Sequence, residues 1–240
     1  MKVTIIGYGK MGKSLERLLK NTEHEIVAIS DGKHSNELVS KLAKADVAID
    51  FTTPETAYGN IMTCVMKKVP IVSGTTGWLD KYDEVVKAVI KEDASFFYAS
   101  NFSIGVNIFY QLNKYLAQLM NNFPNYDVML EEIHHTIKKD FPSGTALTIA
   151  EDILSKIDRK NGWESNTIGE MDKLSVYSKR IGKVFGAHEV QYHNSIDVIK
   201  LSHEAFGREG FAIGAISAAE WLIGKKGVYG MNEMLSISGN

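Results

Sequence analysis

Short apolar runs separated by segments of helical spacing dominate the first hundred residues. Val3–Ile6, Ile26–Ile29, Val47–Ile49, Ile71–Val72 and Phe96–Tyr98 contain few polar positions, the mark of strands buried on both faces. Between them, Met11 to Lys20 and Asp80 to Glu92 repeat apolar residues at helical intervals. Thr53-Pro54 offers an N-cap and a first-turn proline for a helix running toward Lys67. Strands that alternate with helices predict a parallel sheet covered by helices on both faces.

The pattern changes after Asn101. Ile104 to Met120 has the period of a long helix, Tyr126 to His134 alternates like a strand, and residues 144–157 return to helical spacing. From Met171 to Ser202 only strand-like pieces follow, among them Leu174–Tyr177, Glu189–Tyr192 and Ile196–Leu201. Consecutive strands without intervening helices predict a mixed or antiparallel sheet in a second domain. Phe211 to Ile223 is again helical and is expected to pack back on the first domain. The expected fold is therefore α/β: an N-terminal Rossmann-type parallel sheet with a second α+β domain on a mixed or antiparallel sheet. The expected boundaries are 1–102 plus 211–240 for the first domain and 103–210 for the second.

The turn after the first predicted strand reads Gly7-Tyr8-Gly9-Lys10-Met11-Gly12. A G-x-G-x-x-G placed between a strand and a helix permits a tight turn, a close backbone approach to pyrophosphate and close helix–strand packing. The helix start then offers free N–H groups to the phosphate charge. Asp31 closes the next strand about 20 residues further on, where a carboxylate binds ribose hydroxyls. That charge favours NADH, while Lys33 and His34 offset its repulsion of a 2′-phosphate, so use of both NADH and NADPH is expected. Gly74-Thr75-Thr76-Gly77 and Ser100-Asn101-Phe102-Ser103 follow the fourth and fifth strands, at the carboxyl edge where doubly wound sheets bind ligands. The expected cofactor contacts are thus Gly7, Tyr8, Gly9, Lys10, Met11, Gly12, Asp31, Gly74, Thr75, Thr76, Ser100, Asn101 and Phe102.

Charge narrows the class of partner. The 27 basic and 29 acidic residues nearly cancel, leaving a formal charge of −2, so there is no basic excess to neutralise a nucleic-acid backbone. Cys64, the single cysteine, excludes an internal disulfide and fits a reducing compartment; it lies in a run that reads as a buried helix face. Met1–Gly7 reads as a strand and turn rather than a signal peptide, and no window has 18 uncharged apolar residues. A cytoplasmic location without membrane partners is expected.

The densest chemistry lies in Glu131-Glu132-Ile133-His134-His135-Thr136-Ile137-Lys138-Lys139-Asp140-Phe141-Pro142-Ser143-Gly144-Thr145. If the strand continues through it, His134, Thr136 and Lys138 share one face, bringing an imidazole and an ammonium together. Ser143-Gly144-Thr145 then opens a helix whose N–H groups and hydroxyls suit a carboxylate. Such a combination fits hydride reduction of an electron-poor double bond, in which developing negative charge is stabilised by cations and quenched by a proton donor. Five of the seven histidines fall between residues 134 and 203, which puts proton chemistry in the second domain. Glu132, His134 and His135 lack the H-E-x-x-H spacing and no second cysteine assists, so no metal is expected.

Glu132-Ile133-His134-His135, Lys138 and Asp140-Phe141-Pro142-Ser143-Gly144-Thr145-Ala146 resemble the signature of the dihydrodipicolinate (4-hydroxy-tetrahydrodipicolinate) reductase family. Other landmarks agree in order: the glycine loop, Asp50-Phe51-Thr52, Gly74-Thr75-Thr76-Gly77, Asn101 to Val106, Arg180 through Gly186 and His188, and His203 to Arg208. The resemblance implies NADH- or NADPH-dependent reduction of a cyclic dicarboxylate on the route to diaminopimelate and lysine. It also implies His134 as acid/base residue, Lys138 as proton donor, and Ser143, Gly144, Thr145 and His135 as holders of the substrate carboxylates. It further implies a homotetramer built through the sheet of the second domain. Lys139 departs from the family pattern, standing where an apolar residue is usual, and so does Phe141, which replaces a common alanine. The alternatives are another two-domain dehydrogenase, acting on aspartate or homoserine, and a non-catalytic dinucleotide sensor. Neither accounts for two histidines, Lys138 and Ser-Gly-Thr within twelve residues.

Overall fold

The structure, a computed structural model, describes residues 1–31, 35–166 and 170–236. Its chain forms two compact units, Met1–Ile104 with Arg208–Asn240, and Gly105–Gly207. Lys33 and His34 lie outside the described residues.

The first unit is built on six parallel strands, β1 (Lys2–Ile6), β2 (Glu25–Ser30), β3 (Val47–Asp50), β4 (Ile71–Ser73), β5 (Ser95–Tyr98) and β11 (Gly227–Tyr229), in the order β11-β5-β4-β3-β1-β2. The order reverses at β1, whose neighbours are β2 on one side and β3 on the other, so a crevice opens at their carboxyl ends. Helices α1 (Lys10–Leu19), α2 (Ser35–Leu42), α3 (Pro54–Met66), α4 (Tyr82–Lys91), α7 (Glu209–Leu222) and the short α8 (Met231–Met234) complete it. Burial follows the strand period. Val3 and Ile5 join one core with α7, whereas Ile6 joins the core beneath α3 and α4. Cys64 is fully buried in that second core, and burial raises its thiol well above the ordinary range. Thr53 precedes α3 as expected, but its hydroxyl makes no cap to the helix backbone.

Two elements of the first unit escape the hydrophobic pattern. Strand β11 is only three residues long and half-buried, at the sheet edge, and α2 follows residues too polar to announce a helix. The α7 helix buries small side chains, Ala212, Ala215, Ala218 and Ala219, which allows a close approach. At Gly214 the approach is closest: a Cβ there would stand 1.8 Å from the Phe102 carbonyl oxygen.

The second unit carries five strands, β6 (Asp127–His134), β7 (Trp163–Ser165), β8 (Leu174–Arg180), β9 (Gly186–His193) and β10 (Val198–Ala205), in the order β10-β9-β6-β8-β7. The sheet is mixed: β6 and β9 and β9 and β10 pair antiparallel, β6 and β8 and β7 and β8 parallel. Helices α5 (Ile104–Met120) and α6 (Gly144–Leu154) supply apolar residues to the core on one face. Along β6 the alternation is strict, with Val128, Leu130, Glu132 and His134 buried. A carboxylate and an imidazole therefore continue the row that two aliphatic residues begin.

One expectation fails here. The β6 strand ends at His134, and residues 136–137 form a turn in which the Lys138 N–H donates to the His135 carbonyl oxygen (3.1 Å). The reason lies in the neighbours. His134 pairs with Arg180, the last residue of β8, and Ile133 with Ala187 near the start of β9; past His134 only the Thr136 N–H reaches across, to the Gly182 carbonyl oxygen (3.3 Å) in the turn after β8, so the ladder ends there. His134 and Lys138 therefore do not share a strand face.

Gly214→Ala should cost the first unit about 1–3 kcal/mol, the usual scale for overpacking a closed contact. The urea midpoint followed by tryptophan fluorescence measures it; an unchanged midpoint would contradict the close α7 packing.

Candidate active site

In the first unit the loops after β1, β3, β4 and β5 meet at the carboxyl edge of the sheet, and Phe51 governs their spacing. A Cβ on Gly7 (φ +91°) would lie 2.1 Å from the Phe51 carbonyl oxygen, one on Gly12 2.1 Å from the Gly7 oxygen, and one on Gly74 2.1 Å from the Phe51 ring. Three glycines are thus required by the protein's own packing before any ligand is considered. Gly9 differs, because a Cβ there would meet nothing within 4 Å. It precedes α1 without a side-chain cap, and the first turn of α1 has no acidic residue. The first N–H groups of α1 therefore retain their donors for an anion, which fits a pyrophosphate. Tyr8 and Lys10 flank this turn exposed, Met11 is half-buried, and the Tyr8 hydroxyl donates to Glu16. Asp31 is exposed immediately after β2.

Asp50, at the end of β3, organises the opposite side. Its fully buried carboxylate accepts from Thr52 Oγ1 (2.8 Å), Ser73 Oγ (2.8 Å), Thr75 Oγ1 (2.9 Å) and Asn60 Nδ2 (3.5 Å). Burial pushes its pKa up, against the lowering effect of those donors. Thr75 also accepts from the Thr52 N–H (2.8 Å), so the hydroxyl expected at a cofactor is committed inside the protein and shapes the loop. Thr76 and Ser100 are exposed, Gly74 and Asn101 half-buried, and Phe102 buried against Phe51 and Phe97.

In the second unit the register converges charged groups on one point. Glu132 pairs with His188 across β9 and with Ser178 across β8, while His134 pairs with Arg180. Glu132 is fully buried. Its Oε1 receives Arg180 Nη2 at 3.1 Å, the Ser143 N–H donates to both oxygens (3.1 and 3.2 Å), and His134 Nδ1 stands 3.2 Å from Oε2 as an ion-pair contact off the hydrogen-bond axis. Burial alone would raise the Glu132 carboxyl, but the neighbouring His134 and Ser143 override it and hold the group well below the carboxylate range. The His188 and His134 rings meet edge-to-face, 5.1 Å between centroids.

Ser143 caps α6 as the sequence predicts, its Oγ accepting from the Ala146 N–H (3.2 Å) and standing 3.4 Å from His188 Nε2. Its amide and hydroxyl are therefore both engaged by the protein. Gly144 is exposed and Thr145 half-buried, and their N–H groups in the first turn have no intrahelical partner. His135 is half-buried just past the strand end. Lys138 Nζ lies 2.8 Å from Asp140 Oδ2. Sequence reasoning missed the parts played by Asp50, Glu132, Arg180 and His188. Their signals were a charged residue in phase with Val128 and Leu130 for Glu132, and places among the landmarks of the family resemblance, which carry no role, for all four.

Glu132, His134 and His188 bring three donor atoms within 4.8 Å of one another, a spacing that a divalent ion spans. The donor set fits poorly, however: the Arg180 guanidinium and the Ser143 amide already occupy both carboxylate oxygens, and the arginine charge opposes a cation.

A parallel sheet reversing at β1, a glycine turn opening α1, and a separate unit carrying a histidine–carboxylate cluster define the class of two-unit dinucleotide-dependent oxidoreductases. The family model described as dihydrodipicolinate reductase, N-terminus, matches residues 1–102, and that described as dihydrodipicolinate reductase, C-terminus, matches residues 105–235. The chain is 45% identical to a 4-hydroxy-tetrahydrodipicolinate reductase of Christiangramia forsetii, over 98% of each chain. It is 35% identical to the same enzyme of Methanoregula boonei, again over 98% of each. A dipicolinate-bound dihydrodipicolinate reductase from Paenisporosarcina sp. TG-14 shares the fold, with a TM-score of 0.79 at 23% identity over 97% of this chain and 98% of that one. The chain belongs to the dihydrodipicolinate reductase family, and is accordingly an NAD(P)H-dependent oxidoreductase. Among the described residues no helix is long and apolar enough to cross a membrane.

Burial, and then the neighbouring His134 charge, push His188 down to about 3 from 6.5. As pH falls below 6.5, the unfolded chain binds a proton that the folded chain refuses, so stability declines with pH until about pH 3. His188→Gln should flatten that part of the profile. Urea midpoints between pH 7 and 4 read the slope, and an unaltered slope would count against a neutral buried His188.

Proposed function

We propose that this chain carries out the reaction after which its relatives are named, reduction of 4-hydroxy-tetrahydrodipicolinate to tetrahydrodipicolinate in diaminopimelate and lysine biosynthesis, with the residues assigned below. The first unit, with Gly7 to Gly12, Asp31, Gly74 to Thr76 and Ser100 to Phe102, holds NADH or NADPH. The second unit holds the substrate. The substrate hydroxyl leaves with a ring hydrogen as water; a reduced nicotinamide supplies the hydride and a proton enters with it, so atoms and charge balance.

Each residue then has a separate task. Gly144 and Thr145 donate first-turn N–H groups of α6, and Thr145 its hydroxyl, to a substrate carboxylate, helped by the helix dipole. Ser143 keeps that turn in shape through its cap, and His135 borders the second carboxylate. His134 is the acid/base residue. Lys138 donates the proton to the charge that hydride addition creates. The observation that carries this reading is the joining of the His134 imidazole and the cap of α6 to one buried carboxylate, Glu132, within a single unit. Asp31 by itself favours NADH; use of NADPH as well is proposed on Lys33 and His34, whose charge offsets its repulsion of a 2′-phosphate, and a cytoplasmic location on the pathway.

A homotetramer through the second sheet is also proposed. Exposed apolar residues at and before β10, Ile196, Val198 and Ile199, support it, because bare apolar edge strands attract partners. Sedimentation giving a single-chain mass would remove the assembly.

The test is a coupled assay in which dihydrodipicolinate synthase generates the unstable substrate and oxidation of NADH or NADPH is followed. Turnover with at least one cofactor is expected; binding of dinucleotide without turnover would favour a sensor. Lys138→Ala should lower kcat by about two to four orders of magnitude, the scale of a lost general acid, with dinucleotide affinity preserved. A wild-type rate would end its assignment as donor. Thr145→Val should chiefly raise the substrate KM, and an unaffected KM would remove Thr145 from the carboxylate pocket.

A further inference from the structure

One residue ties the separate parts of the second unit together without itself facing the reaction. Glu132 stands under three of them: the His134 imidazole at the end of β6, the Ser143 cap of α6, and Arg180 at the end of β8. Arg180 extends the reach. Its Nη2 also donates to the Asp140 carbonyl, and its guanidinium lies over the Phe141 ring, 3.8 Å from the centroid. Asp140 in turn holds Lys138 Nζ at 2.8 Å. Besides its direct contact with His134, Glu132 therefore starts two branches of contacts: one through Ser143 to the anion-binding turn, one through Arg180 to the loop bearing Lys138.

Stability does not explain such a pair. A buried ion pair replaced by apolar side chains of similar volume is commonly as stable or more so, and Val128 and Leu130 fill the same face of β6 with aliphatic groups. What a carboxylate adds is direction: its lone pairs accept from a fork of guanidinium N–H groups and a backbone amide at defined angles. A satisfied buried network is stiff. Phe141 belongs to it as well, since its ring gives Arg180 a face to lie on that an alanine would not.

We propose that Glu132, fixed by Arg180, is the positioning residue of the substrate site, setting the carboxylate-binding turn of α6 and the Lys138 loop in mutual register. The proposal rests on the residue roles proposed above. Because misplacement by about 1 Å costs on the order of a hundredfold, Glu132→Gln should lower kcat/KM by about that factor through both a higher substrate KM and a lower kcat, with NADH affinity unchanged.

Three variants separate positioning from mere folding. Arg180→Lys keeps the charge but loses the fork, so it should hold a melting temperature close to wild type while kcat/KM falls about tenfold. The double variant Glu132→Gln/Arg180→Gln removes both charges and should recover the melting temperature lost in Glu132→Gln, while kcat/KM stays low. Recovery of both, or Glu132→Gln and Arg180→Lys within twofold of wild type, overturns the proposal. Turnover by the wild-type enzyme in the same coupled assay is the separate check on the reaction: its absence defeats the functional reading, whereas normal wild-type turnover with indifferent variants defeats only the role of Glu132.

Discussion

Removing a carboxylate from water is costly unless its oxygens find donors, and both units of this protein are arranged around that requirement. In the first, Asp50 ends β3 fully buried and draws Thr52, Ser73, Thr75 and Asn60 toward it. In the second, Glu132 lies buried in β6 and draws Arg180, Ser143 and His134. Each acidic side chain sits near the carboxyl end of a strand, at the edge where loops must be held open for a ligand. The two solutions differ in charge. Asp50 is met by hydroxyls and an amide, so burial dominates and its pKa rises, whereas Glu132 is met by an arginine and a histidine and stays ionised.

The glycines of the first unit gain a second meaning from this geometry. Gly7, Gly12 and Gly74 are needed because the Phe51 backbone and ring, and the turn of Gly7 itself, leave no room for a Cβ. The fingerprint is thus partly a packing requirement of the fold. Only Gly9, with open space beside it and an uncapped helix behind it, answers to the approach of an anion. Thr75 illustrates the same separation, since its hydroxyl serves Asp50 rather than a ligand.

Much of this was legible in residue order. The buried strands of the first unit read as unbroken apolar runs, α5 was bounded at Ile104 and Met120, and Ser143 marked the start of α6, because local periodicity and capping chemistry act over a few residues. What was misread also has a local cause. The extension of β6 through Lys138 followed from alternation alone, yet a strand persists only where neighbours supply hydrogen-bonding partners, and β8 and β9 leave none past His134. Strands β7 and β11, three residues each, are too short to show a period.

By itself the sequence determined the two kinds of sheet, the glycine turn at the head of α1, and the cluster of histidine, lysine, serine and threonine that carries the family resemblance. Those are properties of neighbouring residues, set by side-chain period and turn chemistry. The partners of Glu132 were decided by the tertiary structure alone. Arg180 lies 48 residues from it in the chain, and only the register of β6 on β8 and β9 brings Arg180 and His188 to its side. A buried charge selects its donors in space, and spacing along the chain carries no record of that choice.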